Sequence, residues 1–251
     1  GASLTVADEN VAVDNQLGIV ALEGLGSLPP AADVTAFGLD LQGARLIAFD
    51  TTIELPGPLV VSRGDVIRYN GATYSIVFDA SAEGIPSSAV IDAVSISPNG
   101  GLLLSFDTAV DLGGPVATQQ DLVRWNASGF SVVFDGSAEG LDYRLDVDGA
   151  QDLGGGQFLM SFDTTGEIGG VVFADEDIVR FDGSSWSVEF DASAADADWE
   201  PADLDAFLVP EPGIGLGLVC GVLGLSFPAC FRAGRSSGAD RRSVTRSRAT
   251  R

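Results

Sequence analysis

A small set of aspartates and arginines recurs at fixed spacing in this chain, and any chemistry would have to be built from them. Asp65-Val-Ile-Arg68-Tyr69 returns as Asp121-Leu-Val-Arg124-Trp125 and as Asp177-Ile-Val-Arg180-Phe181, at intervals of 56 residues. Phe78-Asp79, Phe134-Asp135 and Phe190-Asp191 keep the same interval of 56. Phe49-Asp50-Thr51, Phe106-Asp107-Thr108 and Phe162-Asp163-Thr164 follow at 57 and 56. A ring of guanidinium groups from Arg68, Arg124 and Arg180 would grip an acidic sugar. The same groups would equally hold one carboxylate per unit for geometry alone. Recurrence in every unit favours the structural role, because a ligand site usually breaks a repeat. Asp79, Asp135 and Asp191 each end a strand before a small turn, where a carboxylate caps backbone N–H groups.

A second set points to metal chemistry. Asp92, Asp148 and Asp205 fall at matching positions, with Thr35 in the earliest copy. Asp146 and Asp203 lie two residues earlier, on the same face of an extended strand. Carboxylates converging in this way would hold a hard cation such as calcium. Asp92, Asp148 and Asp205 are therefore the expected metal ligands; no other cofactor is implied.

Much chemistry is excluded by composition. The chain has no His, which removes the usual general base, the commonest zinc ligand and any Ser-His-Asp arrangement. Its two cysteines, Cys220 and Cys230, sit in one apolar stretch, so the preceding residues carry no thiol chemistry. The net charge is −23, and all 13 basic residues are arginine. Seven of these, Arg232, Arg235, Arg241, Arg242, Arg246, Arg248 and Arg251, crowd the last 20 residues. The rest is strongly acidic; it repels nucleic acid and attracts cations and basic partners.

The elements that position these residues are short strands. Each unit reads as four of them, with Asn70-Gly71, Ala127-Ser128-Gly129 and Asp182-Gly183-Ser184 as hairpin turns. Four strands in about 56 residues fit a β-propeller blade. Glu9 to Glu23 aligns with Asp65 to Asp79, and Asp203 to Phe207 begins a further copy. Together they would complete a fourth unit, with its second strand from Leu4 to Ala7. The expected fold is thus all-β: a propeller-like array of four-stranded repeats over residues 1–208.

The end of the chain is different. Val209-Pro210-Glu211-Pro212 leads into an uncharged run from Gly213 to Phe231, and the arginines follow. As a helix that run would span roughly 28 Å, close to the hydrocarbon thickness of a bilayer. Arginines beyond it would stay on the cytoplasmic side. The spacing predicts one C-terminal transmembrane helix. Val209, Pro210, Glu211, Pro212, Arg232 and Arg235 together resemble the PEP-CTERM sorting signal, over residues 209–235; a polar basic tail occupies 236–251. The resemblance implies export, with the leader removed or upstream. It further implies an inner-membrane anchor, processing by an exosortase-type membrane protease, and release to the cell surface or extracellular matrix.

On this reading the chain is a non-enzymatic surface or matrix protein. Its acidic repeats would act as a binding or structural module for exopolysaccharide or a surface protein. The alternative is a hydrolase or lyase acting on carbohydrate through paired carboxylates on a propeller scaffold.

Overall fold

The computed structural model describes residues 11–14, 19–30, 32–195, 197–199, 203–209 and 229–234. The chain enters through β1 (Ala12–Asp14) and β2 (Ile19–Leu22). The first full unit holds β3 (Val34–Leu39), β4 (Arg45–Phe49), β5 (Ile53–Leu55), β6 (Leu59–Val61), β7 (Val66–Tyr69) and β8 (Tyr74–Phe78). The second holds β9 (Ile91–Ile96), β10 (Leu102–Phe106), β11 (Val110–Asp111), β12 (Val116–Ala117), β13 (Leu122–Asn126) and β14 (Gly129–Phe134). The third holds β15 (Val147–Gly154), β16 (Gln157–Phe162), β17 (Gly166–Ile168), β18 (Val171–Phe173), β19 (Ile178–Phe181) and β20 (Trp186–Phe190). Two short helical turns, α1 (Ala192–Ala195) and a 3-10 turn at Ala197–Trp199, precede β21 (Asp203–Leu208) and β22 (Ala229–Gly234).

These strands make four four-stranded antiparallel sheets, ordered β3-β4-β7-β8, β9-β10-β13-β14, β15-β16-β19-β20 and β2-β1-β22-β21. Each full unit adds a two-stranded hairpin between its second and third main strands: β5–β6, β11–β12 and β17–β18. The first strands of the sheets pack on one another: β3 lies against β9 and β21, and β15 against β9 and β21.

Aromatic side chains join the units. The Phe of each Phe-Asp-Thr block (Phe49, Phe106, Phe162) is fully buried. Phe78 and Phe134, which end the fourth strands of the first two units, reach into the next sheet. Phe78 meets Trp125 edge-on, ring centroids 5.1 Å apart. Phe134 meets Phe181 at 5.4 Å and Trp186 at 5.9 Å. Trp125 and Phe181 are the aromatics that follow Arg124 and Arg180. The repeated sequence thus carries both halves of the contact, one on each side of these two junctions.

Three expectations are corrected. No sheet closes on itself into a propeller or barrel; each is an open four-stranded ladder, and the described fold is an all-β array of such sheets. The apolar end does not finish as a membrane helix. Ala229, Cys230 and Phe231, the last residues of the predicted span, lie in β22 and pair with both β1 and β21. Arg232, the expected cytoplasmic flank, lies in the same strand opposite Ala206. A short uncharged run suits a strand as well as a helix, and glycines at 213, 215, 217, 221 and 224 weaken a helix further. Among the described residues no helix is long and apolar enough to cross a membrane. Pro210, Glu211, Pro212 and Arg235 lie outside the described residues, as does most of the span. The PEP-CTERM reading, the exosortase partnership, the membrane anchor and the surface or matrix destination all depended on that helix and fall with it.

The third correction concerns the sheet shared by the two ends of the described chain. Its second strand is β22, whereas Leu4 to Ala7, expected there, lies outside the described residues. Val209 is hydrogen-bonded to the third unit. Its N–H donates to Gln151 Oε1 at 3.0 Å, and its carbonyl accepts from Gln151 Nε2 at 2.8 Å.

Removing a junction aromatic should unseat two sheets at once. Phe134→Ala is expected to destabilise the chain by about 3–5 kcal/mol in urea unfolding. The exposed Val172→Ala should cost less than about 0.5 kcal/mol.

Candidate functional site

The repeated polar residues resolve into two structural devices. Asp65, Asp121 and Asp177 are buried at the start of each third strand. One oxygen of each accepts the N–H of Ser62, Thr118 or Ala174, at 2.8, 2.8 and 2.9 Å. The other accepts the N–H of Ala80, Gly136 or Ala192, at 2.9, 2.9 and 3.1 Å. Asp79, Asp135 and Asp191 cap the turns that follow, each accepting from the N–H three residues on, at 3.0, 2.9 and 2.8 Å.

The arginines pair near the turn between the first two strands, not with the Asp of Phe-Asp. Arg68 donates to Asp40. Arg124 donates to Ser97 Oγ and to Asp152 Oδ2, both at 3.1 Å, and Ser97 itself donates to Asp152 at 2.7 Å. Arg180 donates to Gln157 Oε1 at 2.8 Å, with Glu189 3.7 Å away. Arg68 and Arg180 find partners within their own units, whereas Arg124 on β13 reaches across to Asp152 on β15 of the next sheet.

Two further acids stand at the opposite end of the first strands. Asp92 is the second residue of β9 and Asp146 immediately precedes β15. Asp92 Oδ2 and Asp146 Oδ1 are buried with no hydrogen-bond partner. Burial pushes the Asp92 carboxyl well above its ordinary range, and Asp146, Asp107, Asp205 and Asp163 push it further. Asp146 is pushed up to about 7, by burial and then by Asp163 and Asp107. Asp107 and Asp163 reach this end from the Phe-Asp-Thr turns. Asp107 accepts the N–H of Val90 at 2.8 Å, and Asp163 accepts that of Asp146 at 3.1 Å. In the first unit Thr35 fills the matching place, and its hydroxyl donates to Ile91 O at 2.7 Å, tying β3 to β9.

Asp205 stands within electrostatic reach of Asp92; among the described residues no three acidic side chains are placed to hold a metal ion. The hydrolase or lyase reading is corrected as well: among the described residues no cluster of acidic side chains supports it.

Sequence reasoning missed a cleft of about 530 Å³ beside these acids. Asp142, Arg144 and Leu145 form one wall, and residues 163–167 form the other. The first wall is fixed from beneath. The buried Gln120 side chain donates to Leu141 O at 3.0 Å and to Asp142 O, and Gln119 donates to Tyr143 O at 3.1 Å. Arg144 clasps Asp142 through two bonds of 2.9 Å, which holds Asp142 ionised with a pKa of about 2. Asp163, by contrast, is raised by burial and by Asp175. The available signal was a break in the repeat: Asp142-Tyr143-Arg144 stands 56 residues after Pro86-Ser87-Ser88 and shares no residue with it.

No protein-family model matches the chain, and no curated protein matches it. Among solved structures it is similar to a protein of unknown function from Bacteroides caccae, whose crystal structure was determined at 1.35 Å resolution. The identity is 10%, the match covers 74% of this chain and 70% of that one, and the TM-score is 0.35.

Asp163 is the acid shared by the cleft and the buried pair. Asp163→Asn keeps an acceptor for the Asp146 N–H but removes a like charge. The Asp146 midpoint, read by carboxyl-carbon NMR, is expected to fall below about 7 in this variant.

Proposed function

We propose that this domain is a non-enzymatic binding module for a partner that presents a compact positive group, an amine or guanidinium, to the cleft of the third unit. The observation that carries the reading is the composition of the cleft walls: Asp142, Asp163 and Glu167 line it, with Thr164 and Thr165 as further oxygen donors. The one arginine on its rim, Arg144, is already engaged by Asp142. A positive charge entering there offsets carboxylate repulsion at Asp163 and, behind it, at Asp146. Binding and deprotonation then favour each other. The net charge of −23 draws such partners from a distance.

Calorimetry with a tri-arginine peptide tests this. The full chain should bind at low salt and weaken steeply as salt shortens the Debye length from about 10 Å at 0.1 M to about 3 Å at 1 M. Asp163→Asn with Glu167→Gln should lower affinity at least about tenfold, whereas Asp182→Asn, in the β19–β20 turn at the opposite end of the sheet, should not. Equal affinity in the doubly neutralised cleft would remove the reading.

A further inference from the structure

The arch between Leu141 and Leu145 displays a large side chain that the fold does not use. We propose that Tyr143 determines the specificity of the cleft, as an aromatic face that selects an arginine side chain over a lysine. The inference rests on the cleft taking a cationic group and adds which cation it takes.

The backbone of the arch is fixed at both ends and from beneath. Leu141 and Leu145 are buried in one core cluster with Phe134, Phe162 and Phe173. The Leu145 N–H donates to Asp142 O at 2.9 Å. Gln120 donates to the carbonyls of Leu141 and Asp142, and Gln119 to that of Tyr143. Every one of these bonds is made to the main chain, so the fold asks nothing of the side chain at position 143. Yet that side chain is a tyrosine, and the residue is 76% exposed. An exposed aromatic on a pinned backbone suits a binding anchor, because it offers a large contact area with little left to order.

The repeat points the same way. Gln119 and Gln120 stand where the first unit has Arg63 and Gly64 and the third has Asp175 and Glu176. Asp142, Tyr143 and Arg144 stand where the first unit has Pro86, Ser87 and Ser88. Five departures from the repeat thus serve one arch: two residues hold it and three are presented by it. Residues with a structural task recur in every unit; these do not.

The arch already holds one guanidinium. Arg144 reaches Asp142 through two bonds of 2.9 Å, and its Cζ lies 5.9 Å from the centroid of the Tyr143 ring. That distance is within cation–π range. Arg144 lines the cleft, so the ring stands at its rim. An incoming arginine would repeat both contacts, its plane against the tyrosine and its edge toward Asp163 and Glu167 on the facing wall. The planar guanidinium fork matches a carboxylate edge and stacks on an aromatic face, whereas a lysine ammonium is a compact, strongly hydrated charge with no plane to stack. The carboxylates attract both cations; the ring tells them apart.

Calorimetry of the full chain with tri-arginine and with tri-lysine at low salt is the test. The wild type should bind tri-arginine more tightly. Tyr143→Ala should weaken tri-arginine about two- to fivefold, the effect of a cation–π contact at an exposed site, and should weaken tri-lysine less, so that the two affinities converge. Tyr143→Phe keeps the ring and should keep the preference. Leu41→Ala, exposed in the turn between β3 and β4, should change neither affinity. Ring-proton NMR reads the contact itself: tri-arginine should move the Tyr143 ring resonances and leave in place those of Tyr69 and Tyr74, which stack on each other at 4.6 Å. Equal affinity of the wild type for both peptides, a preference that survives Tyr143→Ala, or an unmoved Tyr143 ring would overturn the arginine selectivity and leave the cleft reading standing. Binding of neither peptide would remove the cleft reading and this inference together.

Discussion

The structure depends most on one repeated bond set, the buried aspartate at the head of each third strand. Asp65, Asp121 and Asp177 each take one N–H from the exit of the small hairpin and one from the turn after the fourth strand. Two loops that would otherwise be independent are thereby fixed to a single carboxylate. A donor left unpaired in such a place costs about 1–3 kcal/mol, and each aspartate satisfies two. Charge-assisted bonds to backbone are also among the stronger kinds. With both loops set, the fourth strand must end where its phenylalanine meets the next sheet. The local bond thus determines the contact between units.

That dependence explains what could be read in the sequence. The strands, their hairpin turns and the four-per-unit rhythm were legible because each carries a residue type that the backbone requires. The role of the Asp-x-Val-Arg block was half legible. Its spacing was plain, but the partners of Asp121, at Thr118 and Gly136, are backbone groups, which leave no mark on the sequence. The hairpins β5–β6, β11–β12 and β17–β18 escaped notice because they are only two or three residues long per strand and read as punctuated loops. The misjudged element was the apolar run near the end. Absence of charge does not separate a lipid-facing helix from a strand inserted between β1 and β21, and the pairing that decides lies two hundred residues away in sequence.

The candidate site shows the same limit. Matching positions for Asp92, Asp148 and Asp205 suggested convergence on a metal, but position along a strand says nothing about distance across one. What the fold produces in the second and third units is a separation of charge along the first strands. At one end, beyond Ser97 and near Asp152, arginines neutralise the acids. At the other, Asp92 and Asp146 are half-buried beside Asp107 and Asp163, whose like charges act on both. The acids of the Phe-Asp-Thr turns are there for backbone reasons, since each accepts an N–H at the entry to a first strand. Their charge is a by-product of that structural role, and it creates the acidic pole on which the cleft opens.

The central claim is that this pole is short of positive charge, so that protons and cationic groups compete for it. Proton release during binding measures this most directly. Tri-arginine titrated into the full chain at pH 7, in two buffers of different ionisation enthalpy, gives the number of protons exchanged. The account requires release of a fraction of one proton, because a cation beside Asp163 draws Asp146 toward its ionised form. Heats that are identical in both buffers while the peptide binds would contradict it.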